Sequence, residues 1–179
     1  MSADFAFKLV ILGNPGVGKT SLIVRFIKNK FSDDYKTTLG VDFLTKQLEL
    51  FGKAKIRLMI WDMGGQDKWF TRRAKFMRGA DGAVIVYSNT DIKSYLDLDK
   101  WVDEVYQHAN RDVPICIVRN KSDLPPIREN LNPQKLLERL STKIILTSAK
   151  TGENVEEMFT QIASDIVKLK AKQLKSDNK

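Results

Sequence analysis

The spacing of apolar positions divides the chain into short buried runs separated by helical or polar stretches. Phe5–Leu12 is apolar enough to be covered on both faces and predicts a strand. Thr20–Asn29 carries an inward stripe of Leu22, Ile23, Phe26 and Ile27, the pattern of an amphipathic helix. Phe31–Gly40 is polar and rich in turn formers, and predicts a loop. Val41–Leu50 alternates as V-x-F-x-T-x-Q-x-E, which suits an edge strand with one solvated face. The F-G-K-A turn then returns the chain as a strand over Lys55–Trp61. From Met63 to about Ala80 no period is evident, and a second long loop is expected.

Gly82–Ser88 predicts a fully buried strand. A helix capped by Ser94 follows, with Leu98, Trp101, Val102 and Val105 on its inner face. Val113–Val118 and Lys143–Leu146 read as the last two strands. Between them, Asn132-Pro133 would cap a short helix reaching Leu140. Asn154 would cap a long final helix with Val155, Met158, Phe159, Ile162, Ala163 and Ile166 inward. Buried strands alternating with helices imply an α/β fold: a six-stranded, mostly parallel sheet with one antiparallel edge strand and helices on both faces. Such sheets bind ligands at the carboxyl ends of their strands.

One of those strand ends carries a specific motif. After K-L-V-I-L comes G-N-P-G-V-G-K-T-S, in which Gly13, Gly18, Lys19 and Thr20 satisfy G-x-x-x-x-G-K-[ST]. Glycines let the loop curl so that successive N–H groups point at phosphate oxygens. The whole run Gly13–Ser21, including Asn14, Pro15, Gly16, Val17 and Ser21, would cradle the phosphates. Lys19 would add a point charge on the β- and γ-phosphates, Thr20 a hydroxyl for Mg²⁺, and the following helix its positive dipole end. The plainer reading is a Gly/Pro turn between strand and helix, but the motif follows V-I-L and precedes the amphipathic run Ser21–Lys28, as phosphate binding requires.

Three further stretches lie at or beside strand ends. Asp62 ends I-R-L-M-I-W-D, where a metal-holding carboxylate belongs. Gly64, Gly65 and Gln66 follow; a glycine N–H can approach a terminal phosphate, and Gln66 can both donate to and accept from a water. Thr38 offers a second hydroxyl for the metal. Asn120-Lys121-Ser122-Asp123 follows I-C-I-V: a carboxylate at Asp123 accepts both N1–H and the exocyclic N–H of guanine, which adenine cannot present. Asn120 could serve the other ring edge or tie loops together, and the Lys121 stem could lie along the ring. Thr147-Ser148-Ala149-Lys150 would supply a backbone N–H for guanine O6. Each residue alone is an ordinary loop residue; their joint placement points to a guanine nucleotide.

Composition narrows the setting. The 179 residues make one domain, 1–168, with a basic tail over 169–179 that reads as a helix end or disordered segment. No apolar run is long enough for a membrane-spanning helix, and the start is neither a secretory signal nor a myristoylation site. The single cysteine, Cys116, lies in an apolar run and reads as an inert buried thiol in a reducing, cytoplasmic compartment. Half of the net charge of +8 is local: from Lys168 onward, five lysines against Asp177 give +4. That tail could touch anionic lipid, although a solvated helix end is the simpler reading. No aromatics are interleaved to stack bases, which argues against nucleic acid. His108 is assigned nothing.

With these motifs in place, the chain resembles a Ras-superfamily small GTPase over about Phe5–Lys168, through GNPGVGKT, Thr38, WDMGGQ, NKSD and TSAK. It is most similar to the Rab branch, through T-L-G-V-D-F, F-M-R-G-A-D-G-A and N-V-E-E-M-F. The resemblance implies a Mg²⁺-dependent switch that hydrolyses GTP to GDP slowly and answers to effector, exchange-factor and GTPase-activating proteins. It also implies that Phe31 packs on the guanine, that Tyr35 closes over the phosphates, and that Phe43, Trp61 and Phe76 form an effector-facing triad. Four departures stand out. The double glycine of M-G-G-Q-D is similar to the Arf branch. Pro15 removes an N–H beside the γ-phosphate. Arg119 precedes NKSD where glycine is commoner. The final residues hold no cysteine for prenylation, so either the chain is longer or it anchors otherwise. Arg72 and Arg73 read as solvent-facing charge. Two other functions compete: a scaffold that binds nucleotide without turnover, and an ATP-using enzyme.

Overall fold

The computed structural model describes residues 5–32, 41–52, 54–66, 70–109, 112–128 and 133–177. Its elements are β1 (Phe5–Leu12), α1 (Lys19–Lys28), β2 (Val41–Leu50), β3 (Ala54–Met63), α2 (Phe70–Met77), β4 (Gly82–Ser88), α3 (Ile92–Leu96), α4 (Leu98–His108), β5 (Ile115–Asn120), α5 (Gln134–Leu140), β6 (Ile144–Leu146) and α6 (Val155–Asp177). The six strands form one sheet in the order β2-β3-β1-β4-β5-β6. All neighbours run parallel except β2 and β3, which pair antiparallel with Phe43 opposite Trp61 and Asp42 opposite Asp62.

Alternation along β1 explains the two core layers. Phe7, Leu9 and Ile11 face α1 and α6, where Leu22, Phe26, Phe159 and Ile162 fill the space. Val10 and Leu12 face the other way, towards Met77, Trp101, Val102 and Val105. A strand covered on both faces needs no polar alternation, which is why β4 is buried at every position. Phe26 and Phe159 stack 3.9 Å apart and lock α1 against α6.

The structure corrects the sequence reading at three places. The stretch expected as one loop after Met63 contains the helix α2. Its inner positions are Arg73 and Met77, so a charged residue sits where the apolar stripe would have revealed the helix. The helix expected from Ser94 is two, α3 and α4. Asp91 caps α3 by accepting from the Lys93 N–H at 3.0 Å, and Ser94 donates to the Asp91 carbonyl at 2.6 Å. Asn154 is not a side-chain cap: it lies at φ 52°, and its amide donates to the Leu146 carbonyl at 2.8 Å. Of the two forms open to the basic tail, residues 169–177 take the first, as the end of α6, with Lys170 paired to Asp81 at 2.9 Å. Asn132 lies outside the described residues.

Candidate nucleotide-binding site

The motif Gly13–Ser21 occupies the β1–α1 junction at the carboxyl edge of the sheet. Its glycines are required by geometry. Gly13 lies at φ 137°, and a Cβ there would stand 2.1 Å from the Val86 carbonyl oxygen. Gly18 lies at φ 96°, and its Cβ would meet Asn120 Nδ2 at 2.4 Å. The loop is therefore wedged between β4 and the end of β5. Asn14 is buried, whereas Pro15 is exposed at the loop's crest.

Lys19 folds back into this loop. Its Nζ donates to the carbonyls of Gly13 at 2.8 Å and Asn14 at 2.9 Å, and only 6% of it is exposed. Burial lowers its pKa to about 8; Asp62 opposes that shift and Arg73 adds to it. Beside it, the Thr20 hydroxyl donates to Asp62 Oδ2 at the end of β3. Hydroxyl and carboxylate oxygen thus converge at the carboxyl edge. Two hard oxygen donors with one carboxylate suit Mg²⁺, which keeps several waters and leans on substrate phosphates. Among the described residues no group of three or more His, Cys, Asp or Glu is placed to hold a metal ion.

Asn120 is the hub of the other half. Only 1% exposed, it donates through Nδ2 to the Val17 carbonyl at 2.8 Å. Its Oδ1 accepts from Thr147 Oγ1 at 3.2 Å and from the Ala149 N–H at 3.3 Å. Of the two roles open to Asn120, this geometry is the loop tie. Ser148, fully buried, donates to Asp123 Oδ1 at 2.6 Å and fixes that carboxylate. Lys121 lies at φ 65°. A cleft of about 440 Å³ opens between these loops, lined by Gly16, Gly18, Ser21, Phe31, Asn120, Lys121, Asp123, Ala149 and Lys150. That volume is in the range of small-molecule sites. Phosphate loop, Phe31 and both polar loops therefore share one cavity.

On the far side of Lys19, Gly65 packs on the phosphate loop. A Cβ on it would meet Gly13 O at 2.4 Å and both Asn14 C and Pro15 N at 2.7 Å. Gln66 is next in chain, its backbone carbonyl accepting from Arg73 at 2.7 Å. Phe43, Trp61 and Phe76 come together, with Trp61 4.9 Å from Phe43 and 5.2 Å from Phe76 between ring centroids. Phe43 is exposed, and Trp61 and Phe76 are half-buried. Tyr35 and Thr38 lie outside the described residues.

Several supporting residues escape a motif reading. Arg73, expected in solvent, is fully buried against Glu104. Asn14 donates to Asp97 Oδ2 and accepts from Trp101 Nε1, both at 2.7 Å. Arg25 donates to the Ala149 carbonyl at 2.8 Å from α1. Arg119, the departure before Asn120, donates to Asn89 Oδ1 at 2.6 Å; the Asn89 N–H in turn reaches the Asn120 carbonyl at 2.8 Å. Cys116 is buried, and burial pushes its thiol up to about 12, so it is inert as expected.

Comparison with known proteins agrees with this geometry. The Ras family sequence profile matches residues 8–168. The Ras-related protein SEC4 of Candida albicans is 38% identical over 165 residues, covering 91% of this chain and 78% of that protein. The Ras-related protein Rab-13 of Bos taurus is 37% identical over 179 residues, covering 98% of this chain and 88% of its own. The chain belongs to the Ras family, among the Rab-type small GTPases, which bind and hydrolyse GTP.

Proposed function

We propose that this chain is a switch whose state is set by GTP in the cleft between the β1–α1 loop and the loops after β5 and β6. The backbone of Gly13–Ser21 and the Lys19 ammonium hold the β- and γ-phosphates, aided by the dipole of α1. Asp123, held by Ser148, accepts from guanine N1–H and the exocyclic amine. Ala149 and Lys150 border O6, and Phe31 covers the ring. Thr20, Asp62 and Thr38 would hold Mg²⁺, which would offset the negative charge developing at the γ-phosphate. Gln66 orients a water whose oxygen attacks the γ-phosphorus; GDP leaves, and the proton ends on the released phosphate. Gly65 brings its N–H to the same γ-phosphate.

Hydrolysis then removes the group that holds Tyr35, Thr38 and Gly65 in place, and the released loops change what an effector meets. Phe43, Trp61 and Phe76 form the apolar part of that surface. Arg73 is no built-in arginine finger, because its guanidinium is committed to Glu104 and loop carbonyls. Hydrolysis is accordingly slow alone and accelerated by a GTPase-activating partner; an exchange factor reloads GTP. The setting is membrane trafficking or signalling from the cytoplasm, with the lysine-rich end of α6 available to a membrane surface. Among the described residues no helix is long and apolar enough to cross one.

The observation that carries this reading is the Asn120 side chain, which binds the phosphate loop to both candidate base-reading loops. The test is single-turnover GTP hydrolysis: Gln66→Leu should slow it by at least about tenfold while GDP affinity holds. A trace at background that ignores Gln66 would instead describe a scaffold.

A further inference from the structure

Arg73 is the least expected charge in the fold. It occupies an inner position of α2 and is fully buried. Taking a guanidinium out of water is costly, and an aliphatic side chain of similar volume packs such a position more cheaply. The charge therefore calls for a reason beyond packing.

All three of its nitrogens are engaged. Nε donates to Glu104 Oε1 at 2.8 Å and one terminal nitrogen to Glu104 Oε2 at 3.3 Å. The other terminal nitrogen donates to the carbonyls of Gly64 at 3.1 Å and Gln66 at 2.7 Å. The guanidinium carbon also lies 4.9 Å from the Trp101 ring centre. Glu104 is itself buried, so it serves this arginine rather than solvent.

The other end of the same helix face holds the phosphate loop. Asp97, Trp101 and Glu104 fall at i, i+4 and i+7, one stripe along α4. Asn14 binds the first two, at 2.7 Å each. One rigid stripe thus grips the phosphate loop through Asn14 and the Gly64–Gln66 segment through Arg73. The two gripped segments abut at Gly65.

We propose that Arg73 is a positioning residue for GTP hydrolysis: clamped by Glu104 on α4, it fixes the Gly64 and Gln66 carbonyls and so sets where the Gln66 side chain meets the γ-phosphate. This rests on the reading of Gln66 given above. Misplacing a catalytic group by about 1 Å costs on the order of a hundredfold, so a residue that touches no reacting atom can still govern the rate.

The test is a cycle of single-turnover GTP hydrolysis, GDP affinity and thermal unfolding on the unaltered chain, Gln66→Leu, Arg73→Met and the double variant. Arg73→Met should slow hydrolysis by about tenfold to a hundredfold and leave GDP affinity unchanged. In the Gln66→Leu background it should slow nothing further. Because Arg73→Met strands the Glu104 carboxylate, Arg73→Met with Glu104→Leu removes both charges; it should recover the unfolding temperature but stay slow. Arg73→Lys should likewise recover stability without rate, since one ammonium cannot span Glu104 and both carbonyls. Full rate in the charge-free pair, rate and stability restored together by lysine, or an equal slowing in the Gln66→Leu background would each overturn the proposal. Should Gln66→Leu itself hydrolyse at the unaltered rate, the reading of Gln66 fails, and the positioning role with it.

Discussion

Replacing Asn120 by alanine isolates the tie between the two halves of the site. The side chain makes one short bond, to the Val17 carbonyl at 2.8 Å, and two longer ones, from Thr147 Oγ1 at 3.2 Å and the Ala149 N–H at 3.3 Å. At about 1 kcal/mol for each bond, the three amount to roughly 3 kcal/mol. The partners are as buried as Asn120 itself, Val17 and Thr147 being fully so, and an orphaned partner adds to that loss. Part of the deficit falls on folding and part on holding nucleotide, because the loops are tied with or without ligand. If about 2 kcal/mol falls on the bound state, GDP leaves roughly thirtyfold faster. The assay is displacement of a fluorescent GDP analogue by excess unlabelled GDP, with thermal unfolding of the nucleotide-free protein alongside. Asn120→Asp sharpens it: the carboxylate keeps both acceptor bonds but opposes the Val17 carbonyl, so release should still quicken. Release within a factor of about two for both variants, with only the unfolding temperature lowered, would refute the view that this side chain holds the site together.

The remaining predictions concern the phosphates, the hydrolytic segment and the base. Lys19 titrates near 8 in the free protein, so phosphate binding above that pH must be accompanied by proton uptake. GDP affinity should be flat below pH 8 and about tenfold weaker by pH 9, and isothermal titration showing a flat profile to pH 9 would contradict it. The sign for stability is opposite: with the folded pKa below the unfolded one, the unfolded chain holds a proton the native state has lost, so the nucleotide-free protein gains stability from pH 8 upward. Gly65→Ala puts a Cβ within 2.4–2.7 Å of backbone atoms that cannot rotate away; single-turnover hydrolysis should fall about a hundredfold, and an unaltered rate would refute the close packing. Asp123→Asn should weaken GDP binding and favour xanthosine diphosphate, whose C2 carbonyl accepts from the new amide; competition binding with no change of preference would count against Asp123 as the base reader.

Elements built from apolar runs were legible because burial on both faces leaves little room for polar residues. That is why β1, β4 and the stripe of α6 could be read directly. The phosphate loop was legible for a different reason: its glycines meet steric demands at Gly13 and Gly18 that no side chain tolerates. The failures share a cause. In α2, Arg73 occupies the position where periodicity would have shown, because it is paired with Glu104 across the fold, and a partner 31 residues away leaves no local trace. The same holds for Asn14 with Asp97 and Trp101. Local capping rules misled at Ser94 and Asn154, where the side chains bond to a preceding turn and a neighbouring strand instead of to the helix start. Contacts within the site could be anticipated as a set of loops, but the struts that hold those loops in register are tertiary.

The most direct test of the central claim is a titration of the whole chain with GDP, GTP and ATP, each with Mg²⁺ and again after chelation. A site with Lys19 at the phosphates and Asp123 at the base should bind GDP and GTP one to one and more weakly without Mg²⁺, and should leave ATP unbound at concentrations that saturate with GDP. Equal binding of ATP, or no binding of any of the three, would contradict it.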